Sequence, residues 1–126
     1  MQPGRVVILL AGRRAGKKAV IVKANDNDKK KGKNFGYALV AGVERYPLKV
    51  TKRMVKNKNK MKRRTSLKPF VKQVNYNHLL PTRFRVTGEF AKEGAELKSV
   101  VTEEKLNSAE AKKALKKEVK SIFVDR

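Results

Sequence analysis

The chain has 126 residues, no cysteine, and a formal net charge of +22 from 33 Lys and Arg against 11 Asp and Glu. That length holds one small domain with extensions, and the lack of cysteine excludes disulfides, thiolate metal sites and cysteine nucleophiles. A field this positive points to a polyanionic partner, and no apolar stretch approaches the roughly 20 residues needed to cross a bilayer.

The charge is placed, not spread. Residues 1–44 carry +7 and residues 89–126 carry +1, whereas residues 45–88 carry +14, with 14 Lys or Arg and not one carboxylate. Hydrophobic content of 40% suffices for a modest core in spite of this. The apolar start at 6–11 is too short for a signal peptide and runs straight into arginines. The chain is expected to be soluble and intracellular.

Val6-Val7-Ile8-Leu9-Leu10 is a β-branched-rich run bounded by Pro3-Gly4 and Ala11-Gly12, the pattern of a buried strand entered and left through turns. Ala19-Val20-Ile21-Val22 is a second. Between them Gly12-Arg13-Arg14-Ala15-Gly16-Lys17 is short, glycine-bounded and cationic, which predicts a hairpin with a basic tip. A polar loop follows over 25–34. Tyr37-Ala38-Leu39-Val40-Ala41-Gly42-Val43 predicts a third strand, with Gly42 at a bulge or a close backbone approach.

From 49 to 66 the only apolar side chains are Val50, Met54, Val55 and Met61. This predicts an extended basic arm or loop, with one short helical turn at most, that orders when bound. Alternation returns over 70–76, is interrupted by Pro81, and resumes over 83–86 before Gly88. In the tail, Ser108 can cap a helix with Glu110 in its first turn. Ala111, Leu115, Val119 and Ile122 share one stripe, joined by Ala114 and Phe123, with lysines opposite. The expected fold is mainly β with an α extension: a small barrel over 1–88 carrying the basic arm at about 49–68, then a helical extension over 89–126.

The hairpin tip superficially resembles a phosphate loop, but only three residues separate its glycines and Lys18 stands where Ser or Thr should hold magnesium. A better account gives Gly16 a positive φ at the turn, with Arg13, Arg14, Lys17 and Lys18 directed at backbone phosphates. His78 is the sole histidine, and no carboxylate within 45–88 could join it in a metal site. No paired acids suit general acid–base chemistry, because Glu103-Glu104 are neighbours and face different ways on a helix. No enzyme activity, metal, cofactor or small-molecule substrate is expected.

The arm contributes Lys52, Arg53, Lys56, Lys58, Lys60, Lys62, Arg63, Arg64 and Lys68, with asparagines between that can bond sugar and phosphate. If it alone met about six to nine phosphates of a duplex, log K would fall with log salt at a slope of roughly −5 to −8. The run also suits a nuclear-localisation patch. Most of the eight aromatics are expected in the core. Tyr76, beside Asn75, Asn77 and His78, is either a core residue or a platform for an unpaired base. Arg5, Lys72, Asn77, His78, Arg83 and Arg85 complete the expected nucleic-acid-binding set. The tail helix either closes over the barrel, docks on a neighbouring protein, or lies along RNA through Lys112, Lys113, Lys116, Lys117 and Lys120. A membrane role is disfavoured because the helix lacks Trp.

Residues 4–23, a strand–Gly-Arg-x-x-Gly-Lys–strand unit, resemble the KOW motif that opens SH3-like barrels in translation and transcription proteins. Ala38-Leu39-Val40-Ala41-Gly42-Val43-Glu44-Arg45-Tyr46-Pro47 with Lys49-Val50-Thr51 extends the likeness, as does Phe70-Val71-Lys72 with Asn75-Tyr76-Asn77-His78-Leu79-Leu80-Pro81-Thr82-Arg83. Together they closely resemble the eukaryotic large-subunit ribosomal protein twenty-seven family over roughly residues 3–86. The resemblance implies a non-enzymatic, rRNA-binding constituent of the cytosolic large subunit. It implies neighbouring ribosomal proteins as further partners, and nuclear and nucleolar transit during assembly. A free-standing KOW-type regulator of transcription or translation is the alternative; a chromatin or DNA compactor is a third.

Overall fold

A computed structural model describes residues 1–26, 34–86 and 100–124. Much of the predicted polar loop at 25–34 and residues 87–99, Phe90 among them, therefore lie outside the described residues. Five strands form one antiparallel sheet: β1 (Arg5–Leu9), β2 (Lys18–Asn25), β3 (Tyr37–Arg45), β4 (Lys68–Asn75) and β5 (Leu79–Arg85). Their order is β4-β3-β2-β1-β5, so the two outer strands are consecutive in the chain.

That order forces curvature. A flat sheet would hold its outer strands roughly 19 Å apart, four spacings of about 4.8 Å. Only a 3₁₀ turn, Tyr76–His78, separates the end of β4 from the start of β5, and four residues even fully extended reach about 14 Å. The sheet must curl until its edges approach, which makes a small SH3-like barrel. Inside it pack Val7, Leu9, Ala19, Ile21, Ala38, Val40, Phe70, Val74 and Leu79.

The hairpin tip is as the glycines predict. Gly12 and Gly16 both take positive φ, +85° and +77°, and Gly16 N–H donates to the Leu9 carbonyl at 2.6 Å. Gly42 sits at a close approach: a Cβ there would lie 2.5 Å from the Lys18 carbonyl oxygen and 2.8 Å from the Phe70 ring. No side chain larger than hydrogen fits.

A second layer covers the outside of the sheet. The helix α3 (Ala109–Val124) is capped by Ser108, whose Oγ accepts from Ala111 N–H at 3.1 Å. Its Leu115 and Val119 join Val101 against Val22, Leu39 and Ala41. The stripe closes over the barrel, the first of the roles expected of this helix. Glu103 fastens the approach to the helix by accepting from Asn25 Nδ2 (2.9 Å) and the Tyr37 hydroxyl (3.2 Å). As a result β3 is buried on both faces.

Three expectations need correction. The arm is not extended but forms two short helices, α1 (Lys52–Val55) and α2 (Lys58–Thr65). Asn57 caps the second by accepting from Lys60 N–H. The pair is tied to the barrel through Leu48 N–H to the Arg64 carbonyl and Arg45 Nη2 to the Arg63 carbonyl. Neither helix buries a residue, which is why no apolar periodicity announced them. Pro81 does not break the strand; β5 runs through it, opposite Val7, and Pro is compatible with an outer strand. Nor do the aromatics fill the core. Among the described ones only Tyr37 and Phe70 are buried, while Phe35, Tyr46 and Phe84 are exposed, because so narrow a barrel is filled by aliphatic side chains.

Candidate nucleic-acid interface

The sheet distributes the predicted basic residues over three regions. The first is the hairpin tip and the adjacent face of β4. Here Leu10 N–H donates to the His78 carbonyl at 2.9 Å, holding the tip beside the 3₁₀ turn. A Cβ built on Gly12 would lie 3.5 Å from the Lys72 ammonium, so tip and strand meet. Two adjoining grooves result, of about 410 and 230 Å³, which share Lys72 and Gln73. The larger takes Arg13 and Arg14 from the tip, and the smaller takes Asn75 and His78.

Arg14 behaves differently from its neighbours. Its guanidinium stacks over Phe70, 4.9 Å from the ring centroid, and its Nη2 lies 3.8 Å from Glu44. Lys68 approaches the same carboxylate at 3.6 Å. Glu44, the last acid before the acid-free run, thus anchors two cations to the barrel. Arg13 and Lys18 remain exposed, and Lys17 is half-buried.

The second region is the helical pair. Lys52, Arg53, Lys56, Lys58, Lys60, Lys62 and Arg63 are exposed, and Arg64 is half-buried. Neither helix carries an acid in its first turn, so nothing within it offsets the repulsion. The third region is the β1–β5 edge. Arg5 and Arg85 are register partners, and Arg83 stacks on the exposed Phe84 ring at 5.2 Å.

Tyr76 is placed for packing as well as polar contact. Its ring presses on Gly36, where a Cβ would come within 2.5 Å, and it lies against the barrel core. Its hydroxyl donates to Asp26 Oδ1 at 3.0 Å. Burial, and then the bonded Asp26 carboxylate, push its pKa up from 10.0 to about 12. Asn77 and His78 stay exposed, with the turn fixed by Asn75 Oδ1 accepting from Asn77 N–H.

Two cations in the larger groove come from the tail lysines that the sequence offers to RNA only as an undivided set. Lys112 and Lys116 reach it from α3. Their i, i+4 spacing marks them as one helix row, but nothing local ties that row to a strand some forty residues earlier. Among the described residues no cluster of His, Asp and Glu could hold a metal ion, and no helix is long and apolar enough to cross a membrane.

The chain matches the model of the Ribosomal L27e protein family over residues 6–126. The chain belongs to the L27e family. It is 51% identical over 123 residues to the large ribosomal subunit protein eL27 of Tetrahymena thermophila, covering 98% of this chain and 79% of that protein. The corresponding eL27B of Saccharomyces cerevisiae is 46% identical over 126 residues, covering all of this chain and 86% of the relative. The eL27 of Caenorhabditis elegans is 44% identical with the same coverage. As an L27e member the chain is a ribosomal structural protein and not an enzyme.

Proposed function

We propose that the chain is a structural constituent of the large subunit of the cytosolic eukaryotic ribosome, holding rRNA through phosphate contacts. The observation that carries this is the acid-free run 45–88 with its 14 cations, displayed on a scaffold whose relatives are named as large-subunit proteins. A residue set dominated by Lys and Arg, whose one aromatic, Tyr76, is half-buried against the core, suits shape and charge better than base reading. In this view the barrel of residues 1–88 positions the tip, the arm at about 49–68 enters between rRNA helices, and 89–126 form an extension. Neighbouring ribosomal proteins share the site, and the basic run also serves entry to the nucleus and nucleolus for assembly.

The test is co-sedimentation. Retention on large subunits through a high-salt wash is the expected result. Release into a free pool would favour a KOW-type regulator instead.

A further inference from the structure

The larger groove joins elements that the charge map alone keeps apart. On its barrel side stand Arg13, Arg14, Lys72 and Gln73; on its helix side stand Lys112 and Lys116. Among the described residues no carboxylate lines it. Five cations converge on about 410 Å³ of open space; Arg14 is offset by Glu44, and the other four have no acid beside them among the described lining residues, an arrangement that favours the entry of an anion. Two donors there, Arg14 Nε and Gln73 Nε2, are buried and find no acceptor among the described residues. Buried donors are normally satisfied, so an acceptor from outside is the simplest completion.

The helix geometry separates these lysines from the others. Leu115 and Val119 point into the sheet. At 100° per residue, Lys112 and Lys116 lie to one side of that buried stripe, whereas Lys113 and Lys117 lie nearly opposite it. Only the first pair lines the groove. The groove also continues past Lys72 and Gln73 into the smaller one beside His78. Two concavities in a row suit a chain of successive phosphates, and the amides of Gln73, Asn75 and Asn107 along them suit sugar and phosphate oxygens.

We propose that this cleft between the hairpin tip, β4 and α3 is a phosphodiester-binding site, in which Lys112 and Lys116 of the helix close on an RNA backbone against Arg13 and Lys72 of the barrel. The proposal rests on the RNA-binding reading above and adds the C-terminal helix to it. An acidic polypeptide is the competing occupant, disfavoured because the apolar side chains lining the cleft, Val71, Leu106 and Leu115, are already packed in the contact between α3 and the sheet.

The experiment uses the full chain and a short A-form RNA duplex. Binding is measured from about 50 to about 200 mM salt for the parent, for Lys112→Gln/Lys116→Gln, and for Lys113→Gln/Lys117→Gln, which removes the same charge from the far side of the helix. The groove pair should lower the salt slope by about 2, the loss of two phosphate contacts, and the far pair by less than half of that. Acetylation footprinting of the parent should show Lys72, Lys112 and Lys116 shielded by the duplex while Lys113 and Lys117 stay reactive. Equal slope changes from the two pairs, or none from the groove pair, would overturn the cleft while leaving the RNA-binding reading intact. Shielding by polyglutamate but not by the duplex would assign the cleft to an acidic protein segment, and so overturn it too. A parent with no affinity for the duplex would remove the RNA-binding reading, and the cleft with it.

Discussion

Leu115 is the residue on which the helical layer depends. Its side chain is 1% exposed and sits with Val119 and Val101 against Val22, Leu39 and Ala41. Leu115→Ala removes the largest of α3's buried contacts and leaves a cavity that a rigid sheet cannot close. A cost of about 3 kcal/mol is expected, mid-range for a buried leucine. With an unfolding entropy of about 2.1 cal/mol/K per residue, a 126-residue chain then loses roughly 11 °C in Tm. The effect is not confined to global stability, because a 16-residue helix is marginal alone and detaches once its anchor is cut. Thermal unfolding by circular dichroism reads the first quantity, and amide exchange over 109–124 reads the second. Lys113→Ala, on the exposed side, provides the comparison and should stay within about 0.5 kcal/mol of the parent. If Leu115→Ala were equally silent, the helix would not be resting on the sheet, and the two-layer account would fail.

Three further outcomes are expected. Lys62→Gln, Arg63→Gln and Arg64→Gln together should lower the salt slope of duplex RNA binding by about 2 to 3, with the barrel's melting unchanged; an unaltered slope would take the α1–α2 pair out of the interface. Gly42→Ala places a methyl against the Lys18 carbonyl and the Phe70 ring, so a loss of about 3 kcal/mol or more is expected in denaturant melts, and a neutral result would contradict the packing at β3. Tyr76 should be a late-ionising tyrosine, near pH 12 in a spectrophotometric titration, because burial and Asp26 favour its neutral form. Since that pKa is raised on folding, its contribution to stability is complete below about pH 10 and fades as pH climbs to about 12. Tyr76→Phe should abolish this dependence, and its persistence would assign the late ionisation elsewhere.

The first three strands were readable because each is an apolar run with glycine in or near it, a local signal at 6–10, 19–22 and 37–43, whereas β5 was obscured by Pro81. The tail helix was readable for the same kind of reason, its cap at Ser108 and its stripe through Leu115 and Val119 both lying within one segment. The helical pair at 52–65 was not. Met54 and Met61 are its only half-buried apolar residues, too few to set a period, and its fixing bonds come from the distant backbone at Leu48 and the side chain of Arg45. Lys72 could be proposed from charge alone, but its company could not. That Lys112 and Lys116 stand across a groove from it follows only once α3 is laid on the sheet. Arg14 shows the converse: charge marks it as surface, whereas Phe70 and Glu44 draw it inward.

The double burial of β3 has a consequence for how the chain finds its alignment. A strand with one wet face keeps its frame by hydrophobic alternation, since a slip of one position turns oily side chains outward. β3 has no such guide: residues 37–43 are buried without a break. What remains is steric. Gly42 lies opposite Ala19 and Phe70, and a shift of one position would bring Ala41 or Val43 into space that admits no methyl group. The missing side chain is thus a keyway, and the whole barrel is indexed on it.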